Sequence, residues 1–203
     1  GGVMTSTTAF RAALTILVVA LASPALAGKG FNYTYVDAGY EYTDGDKVNF
    51  KTARVDGSFD VLKYVALRAA FRRGELDNYS KKESDPDFNE FQVGARGHYS
   101  LFDSLDLFAT GTWFYNSING DKVSSISDAG YIVDGGVRYK PFSGDILKRL
   151  ELDAWVQYRS GDYDDTSVAF NPIIKVTKKL SVNLRTNQFG DDDIYYAGLR
   201  LDL

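Results

Sequence analysis

The chain has 203 residues, with 23 basic and 27 acidic side chains, one histidine and no cysteine. The missing cysteines exclude a disulfide framework and thiolate chemistry, and the near balance of charge leaves no basic stripe for nucleic acid. Aromatic residues make up 14 %, with 14 Tyr and 13 Phe, an excess that suits girdles at membrane interfaces.

Met4 to Arg11 is polar with one positive charge, Ala12 to Ala22 is an apolar run, and Ser23-Pro24 breaks it before the small-x-small site Ala25-Leu26-Ala27. This order reads as a secretory signal peptide over 4–27, cut after Ala27. Its apolar run is far short of the ~20 residues a spanning helix needs. No later segment is a longer hydrophobic run. Residues 28–203 are therefore expected to form either a soluble exported protein or a membrane β-barrel.

From Phe31 onward the sequence alternates with period two, the signature of strands with two unlike faces. Tyr33 to Tyr42 sets Val36, Ala38, Tyr40 and Tyr42 against Asp37, Gly39 and Glu41; Thr43 to Lys47 is a turn. Asn49 to Val61 sets Ala53, Val55 and Phe59 against Arg54, Asp56, Ser58 and Asp60. Tyr64 to Arg72 sets Val65, Leu67 and Phe71 against Arg68 and Arg72, and a polar loop over 73–87 follows.

Phe88 to Tyr115 is the clearest hairpin. Phe91, Val93, Tyr99 and Leu101 share one face, with Gln92, Arg96, His98 and Ser100 on the other. After a break at 102–104, Leu105, Leu107, Trp113 and Tyr115 oppose Asp106, Phe108, Thr110 and Phe114. Residues 116–128 read as a polar loop with Asn119-Gly120 at its tip. Ala129 to Lys140 then sets Tyr131, Val133, Val137 and Tyr139 against Asp134 and Arg138. Leu150 to Arg159 sets Leu152, Val156 and Tyr158 against Glu151, Asp153, Trp155 and Arg159. Ser167 to Val176 contains Pro172, which predicts a bulge or weakened pairing. Leu180 to Gln188 is a weaker strand. Ile194 to Leu203 closes with Tyr195, Ala197 and Leu199 outward and Arg200 inward.

The reading is all-β: a closed, antiparallel, up-and-down transmembrane β-barrel of about ten strands, with eight the alternative if the segments around Pro172 and 180–188 are irregular. Strands of about ten residues, tilted near 45°, rise roughly 23 Å, close to the ~25 Å apolar band of an outer-membrane barrel. Aromatics gather at the two ends of the apolar face. Tyr40, Phe71, Phe91, Tyr99, Trp113, Tyr131, Tyr139, Tyr158 and Tyr195 are the membrane-interface candidates. An even strand count puts both termini on the periplasmic side.

The inward charges are the candidate functional residues. Arg54, Asp56, Arg68, Arg96, Asp134, Arg138, Asp153 and Arg200 are expected to line the lumen and to pair, because a lone confined charge is costly. Large inward groups (Phe108, Phe114, Trp155, Tyr196) predict a narrow interior with little or no conductance. His98, Ser100 and, across the turn, Asp106 form a second, catalytic possibility, since an activated nucleophile needs these groups within reach of one another. The acidic loops 44–46, 162–165 and 191–193 offer carboxylate oxygens, but none has an EF-hand spacing. No metal centre or cofactor is expected.

The signal peptide, the strand spacing and the alternating last strand Tyr195 to Leu203 resemble small bacterial outer-membrane β-barrels of the porin-like or OmpA- and OmpX-type. Phe31-Asn32-Tyr33-Thr34-Tyr35-Val36-Asp37-Ala38-Gly39-Tyr40 is similar to the start of one group of small porin-like barrels, some of which carry signalling-factor labels. The chain departs from the usual aromatic terminus by ending in Leu203. The resemblance implies a monomer in the outer membrane, in contact with lipid and lipopolysaccharide and inserted by the barrel-assembly machinery. Its implied role is structural, or passage or binding of small solutes. His98-Tyr99-Ser100 also looks like the His-x-Ser pair of outer-membrane lipid A deacylases, so lipid hydrolysis is the alternative activity. An omptin-type protease would need a second histidine.

Overall fold

The computed structural model describes residues 31–45, 49–77, 86–120, 123–141, 149–161, 164–189 and 192–203. The segment 4–27, expected from the sequence to be a signal peptide, lies outside them, as do parts of the three acidic loops. Ten strands follow one another: β1 (Tyr35–Asp44), β2 (Asn49–Leu62), β3 (Val65–Asp77), β4 (Asp87–Phe102), β5 (Leu105–Gly120), β6 (Val123–Tyr139), β7 (Leu150–Ser160), β8 (Asp165–Lys175), β9 (Leu180–Phe189) and β10 (Asp192–Asp202). Each pairs antiparallel with its sequence neighbours, and β1 pairs with β10, so the sheet closes on itself and leaves no edge.

The burial pattern is inside-out. Arg138, Glu90 and Glu151 are each 1 % exposed, whereas Leu199 is 55 %, Val156 53 % and Val133 50 % exposed. In water the hydrophobic effect drives the opposite arrangement. An apolar outer band around a polar interior is what period-two alternation produces when the solvent outside is lipid.

The end where β1 begins and β10 finishes is the lower end. It also carries the short turns after β2, β4 and β8 and the longer connection between β6 and β7. The other end, the upper one, carries the connections after β1, β3, β5, β7 and β9. The strands β4, β5 and β6 are the longest, at 16, 16 and 17 residues. They rise into the stretch read above as a loop over 116–128: Asn116 pairs with Asp128, Ser117 with Ser127 and Ile118 with Ile126. Both faces of this extension are largely polar, so it carries no alternation, yet its backbone groups still need partners and find them in each other.

Two other details bear on the sequence reading: at Pro172 the weakened pairing, not the bulge, is found, and the first strand starts later than expected. Pro172 causes no register shift. It stays opposite Leu152 on β7, while the β8–β9 ladder skips Asn171 and Pro172 and resumes in register at Ile173↔Asn183. A proline has no N–H to give that ladder, so the pairing weakens without a bulge. At the lower end, residues 31–34 are not part of β1. They turn into the barrel.

The seam β9–β10–β1 is pinned from inside. Tyr196 lies over the paired glycines Gly39 and Gly198, and a Cβ on Gly198 would collide with its hydroxyl. The Tyr196 phenol and the Asn183 amide both donate to Asp37. Glycine is needed at both positions: at Gly198 the ring occupies the space of a side chain, and at Gly39 the backbone of Ala197 and Gly198 does so ahead of the ring.

Candidate functional site: the barrel interior

All eight predicted lumen residues point inward. In the upper half a chain of ion pairs crosses the barrel. Arg185 on β9 reaches Glu41 at 2.9 Å, Glu41 takes Arg72 at 2.6 Å, Arg72 takes Glu90 at 2.6 Å, and Glu90 takes Arg159 on β7 at 2.6 Å. Arg54 joins it through Glu41 at 3.4 Å and forks onto Asp56. Two glutamates thus hold four arginines. Paired, hydrogen-bonded charges are the form in which a confined site tolerates ionised groups.

The inward aromatics are the surfaces on which these arginines rest. The Arg159 guanidinium sits 3.8 Å from the centre of the Phe114 ring, Arg96 4.1 Å from Phe108, Arg185 4.7 Å from Tyr196 and Arg200 3.9 Å from Tyr35. A planar guanidinium stacks on an aromatic face and keeps its edge free for hydrogen bonds. From the sequence Phe108, Phe114 and Tyr196 read as lumen filling and Tyr35 is not singled out; the stacking role is missed for all four. The signal was present, since each strand bearing an inward ring lies close to one bearing an inward arginine.

The lower half is organised differently. Arg138 binds Glu151 at 2.7 Å and lies 3.3 Å from Asp153, Lys175 binds Glu151 at 2.8 Å, and Arg200 binds Asp202 at 2.9 Å. Into this ring the segment 31–34 inserts. Phe31 is 4 %, Tyr33 1 % and Thr34 0 % exposed. Arg138 and Arg200 both donate to the Asn32 carbonyl, at 3.0 and 2.6 Å. The Tyr33 hydroxyl donates to Asp106 at 3.0 Å, and its ring stacks on His98 at 3.9 Å. The Asp60 N–H donates to the Thr34 hydroxyl, and the Leu203 N–H donates to its carbonyl. The segment therefore touches β2, β4, β5, β6 and β10 at once and lies across the lower mouth.

Above it lies a cavity of about 420 Å³. It reaches the upper rim at Thr43, Phe50, Asn116 and Ile194, and ends below on Tyr35, Arg68, Arg96, Asp153 and Arg200. Seven of the eight predicted residues line it, together with Trp155: Arg54, Asp56, Arg68, Arg96, Asp134, Asp153 and Arg200. Arg138 is buried beneath it.

His98, Ser100 and Asp106 are neighbours without forming a relay. Ser100 does pair with Asp106 across the hairpin, as the spacing predicts. But Ser100 is exposed at the rim and Asp106 is buried, held by Tyr33. His98 Nε2 lies 3.3 Å from Asp60 instead. No hydrogen bond joins the three among the described residues.

The predicted aromatics form two bands on the outer face. Tyr99 and Tyr139 sit near the lower turns, with Tyr64 5.9 Å from Tyr99 between ring centres. The upper band holds Tyr40, Phe71, Phe91, Trp113, Tyr131, Tyr158 and Tyr195; Phe71 faces Phe91 across β3–β4, and the Tyr131 and Tyr158 rings are 6.2 Å apart. Tyr158 also donates to Asp164 at 2.9 Å, and this bond holds the Asp164 carboxyl below its usual range.

This architecture is shared with solved proteins. The KdgM porin aligns with 83 % of this chain and 99 % of its own, at 14 % identity and a TM-score of 0.50. The NanC porin aligns with 83 % of this chain and 100 % of its own, at 11 % identity and a TM-score of 0.52. The fold is that of a small outer-membrane β-barrel. Identities this low carry the fold and nothing finer. No protein-family model matches the chain, and no curated protein matches it in sequence.

Proposed function

We propose that this barrel sits in the bacterial outer membrane as a non-enzymatic, porin-like protein that admits small solutes into a narrow polar lumen and passes them only when residues 31–34 leave its lower mouth. One observation carries this: the polar cavity runs down from the upper rim to a floor that includes Tyr35, Arg96 and Arg200, and the chain's own segment 31–34 is packed below that floor, held by Arg138 and Arg200. In outer-membrane barrels short turns face the periplasm, so the lower end, where β1 begins and β10 finishes, is the periplasmic one. The two aromatic bands then mark the membrane interfaces, with lipid against the apolar belt and lipopolysaccharide around the upper band. A closed sheet needs no second copy to cover an edge, which favours a monomer inserted by the barrel-assembly machinery. The lipid-hydrolase alternative has little support, because Asp106 is engaged by Tyr33 and His98 by Asp60.

The absence of native cysteine makes the entry step testable. Gln157 lines the cavity. Gln157→Cys on intact cells should be modified by a small thiol reagent added outside, and a bulky reagent should fail. If the small reagent also fails on a folded barrel, solute entry from the outside is wrong.

A further inference from the structure

We infer that the floor of the cavity is a binding site for one small organic carboxylate, held by Arg68 and Arg96. The inference deepens the porin-like reading, because it takes the cavity to admit solute. Arg54, Arg72, Arg159, Arg185 and Arg200 on the cavity wall each have an acid within 2.9 Å. Arg68 and Arg96 do not. Arg68 makes no hydrogen bond among the described residues, and its nearest carboxylate, Asp56 at 3.9 Å, is already forked by Arg54. Arg96 donates only its Nε, to Thr110 at 2.9 Å, and its terminal nitrogen lies 3.8 Å from Asp134. Arg96 is nonetheless 7 % exposed. These two guanidiniums, one half-buried and one buried, thus stand 3.9 and 3.8 Å from their nearest carboxylates, and neither makes a close ion pair.

The two arginines sit on adjacent strands, with Arg68 opposite Gly94 and Arg96 opposite Ala66, so they neighbour each other on the inner face. Their unused N–H edges face the cavity. A carboxylate matches such planar forks and can take bonds from both. Asp134, 3.8 Å from Arg96, and Asp153 share this part of the wall, so a phosphate or sulfate dianion meets more repulsion here than a monoanion does. The wall supplies the rest. The Phe108 ring lies under the Arg96 guanidinium, 6.5 Å from Trp155, and both rings line the cavity. The body of the ligand is therefore apolar or aromatic.

The test is fluorine NMR on the folded full-length barrel in detergent micelles, with folding checked by heat-modifiable gel mobility. The probes are 4-fluorobenzoate and its neutral isostere 4-fluorobenzamide. The benzoate should bind saturably and the amide at least about tenfold more weakly, the scale of a lost charge-assisted pair. Arg96→Gln and Arg68→Gln should each weaken the benzoate about tenfold, and Asp134→Asn should tighten it. Should either arginine variant not fold, the two probes and Asp134→Asn still decide. Equal binding of benzoate and amide, or an Asp134→Asn variant that binds more weakly, would overturn the site. Sulfate displacing the benzoate at equal ionic strength would overturn the carboxylate assignment. Binding does not depend on passage. Carboxylate preference without any conductance would remove the porin reading alone, and conductance without preference would remove this site alone.

Discussion

Glu90 accepts two guanidiniums at 2.6 Å, one from β3 and one from β7 across the lumen. Removing its charge leaves both arginines buried and under-compensated. Glu90→Gln is expected to destabilise the barrel by about 3–5 kcal/mol, the cost of breaking a buried pair, read as a lower urea midpoint for unfolding from lipid vesicles. A change within experimental error would mean that lumenal water replaces the lost partner. Which residues point inward was legible, because a strand assigns every second side chain to one face and Arg54, Arg68, Arg96 and Arg138 all fall on it. Which acid each arginine takes was not. Arg159 and Glu90 are 69 residues apart, and the pairing of neighbouring strands does not say which wall positions meet across the middle. Ser100 and Asp106 show the converse: register alone brought them opposite, but only the structure reveals that Tyr33 has taken the carboxylate. Ser100→Ala should therefore leave lipid A and phospholipid acylation unchanged in mass analysis of outer-membrane lipids. An altered acyl pattern would revive the hydrolase.

At the scale of elements, the segment 31–34 departs furthest from the sequence reading. Phe31, Tyr33 and Tyr35 keep the parity of an inward-facing strand, so alternation runs through them without a break. β1 ends at Tyr35 because β10 runs out there, opposite Asp202, and the chain leaves β2, which continues to Leu62 without it. The polar groups of 32–34 are met instead by Arg138, Arg200 and the Asp60 N–H. Alternation reports a two-faced environment, and a segment lying between the lumen wall and a bed of charges has one as well. The extension of β5 and β6 shows the reverse failure. There the strands are real, but neither face meets lipid, so no alternation marks them. Between these limits the hairpin over 88–115 was readable in full, down to Ser100↔Asp106, because one face meets lipid and the other charge along nearly its whole length.

For the whole molecule, the ten-strand closed barrel followed from alternation, turn spacing and the apolar band, and its inside-out burial sets it apart from a soluble exported domain. Whether the lumen is open could not be read from the chain, since it depends on where four residues before the first strand come to rest. The account's central claim is that these residues close a polar lumen at its lower end. Planar-bilayer recording tests it most directly, comparing the wild type with the double variant Phe31→Ala, Tyr33→Ala, each first shown to be a folded barrel by heat-modifiable mobility. The double variant loses the stack on His98, the bond to Asp106 and the aromatic bulk over Arg138. The account predicts a wild type with rare or no channel events and a variant with frequent stepwise openings. A wild type that conducts as freely as the variant, or a folded variant that stays silent, would contradict it.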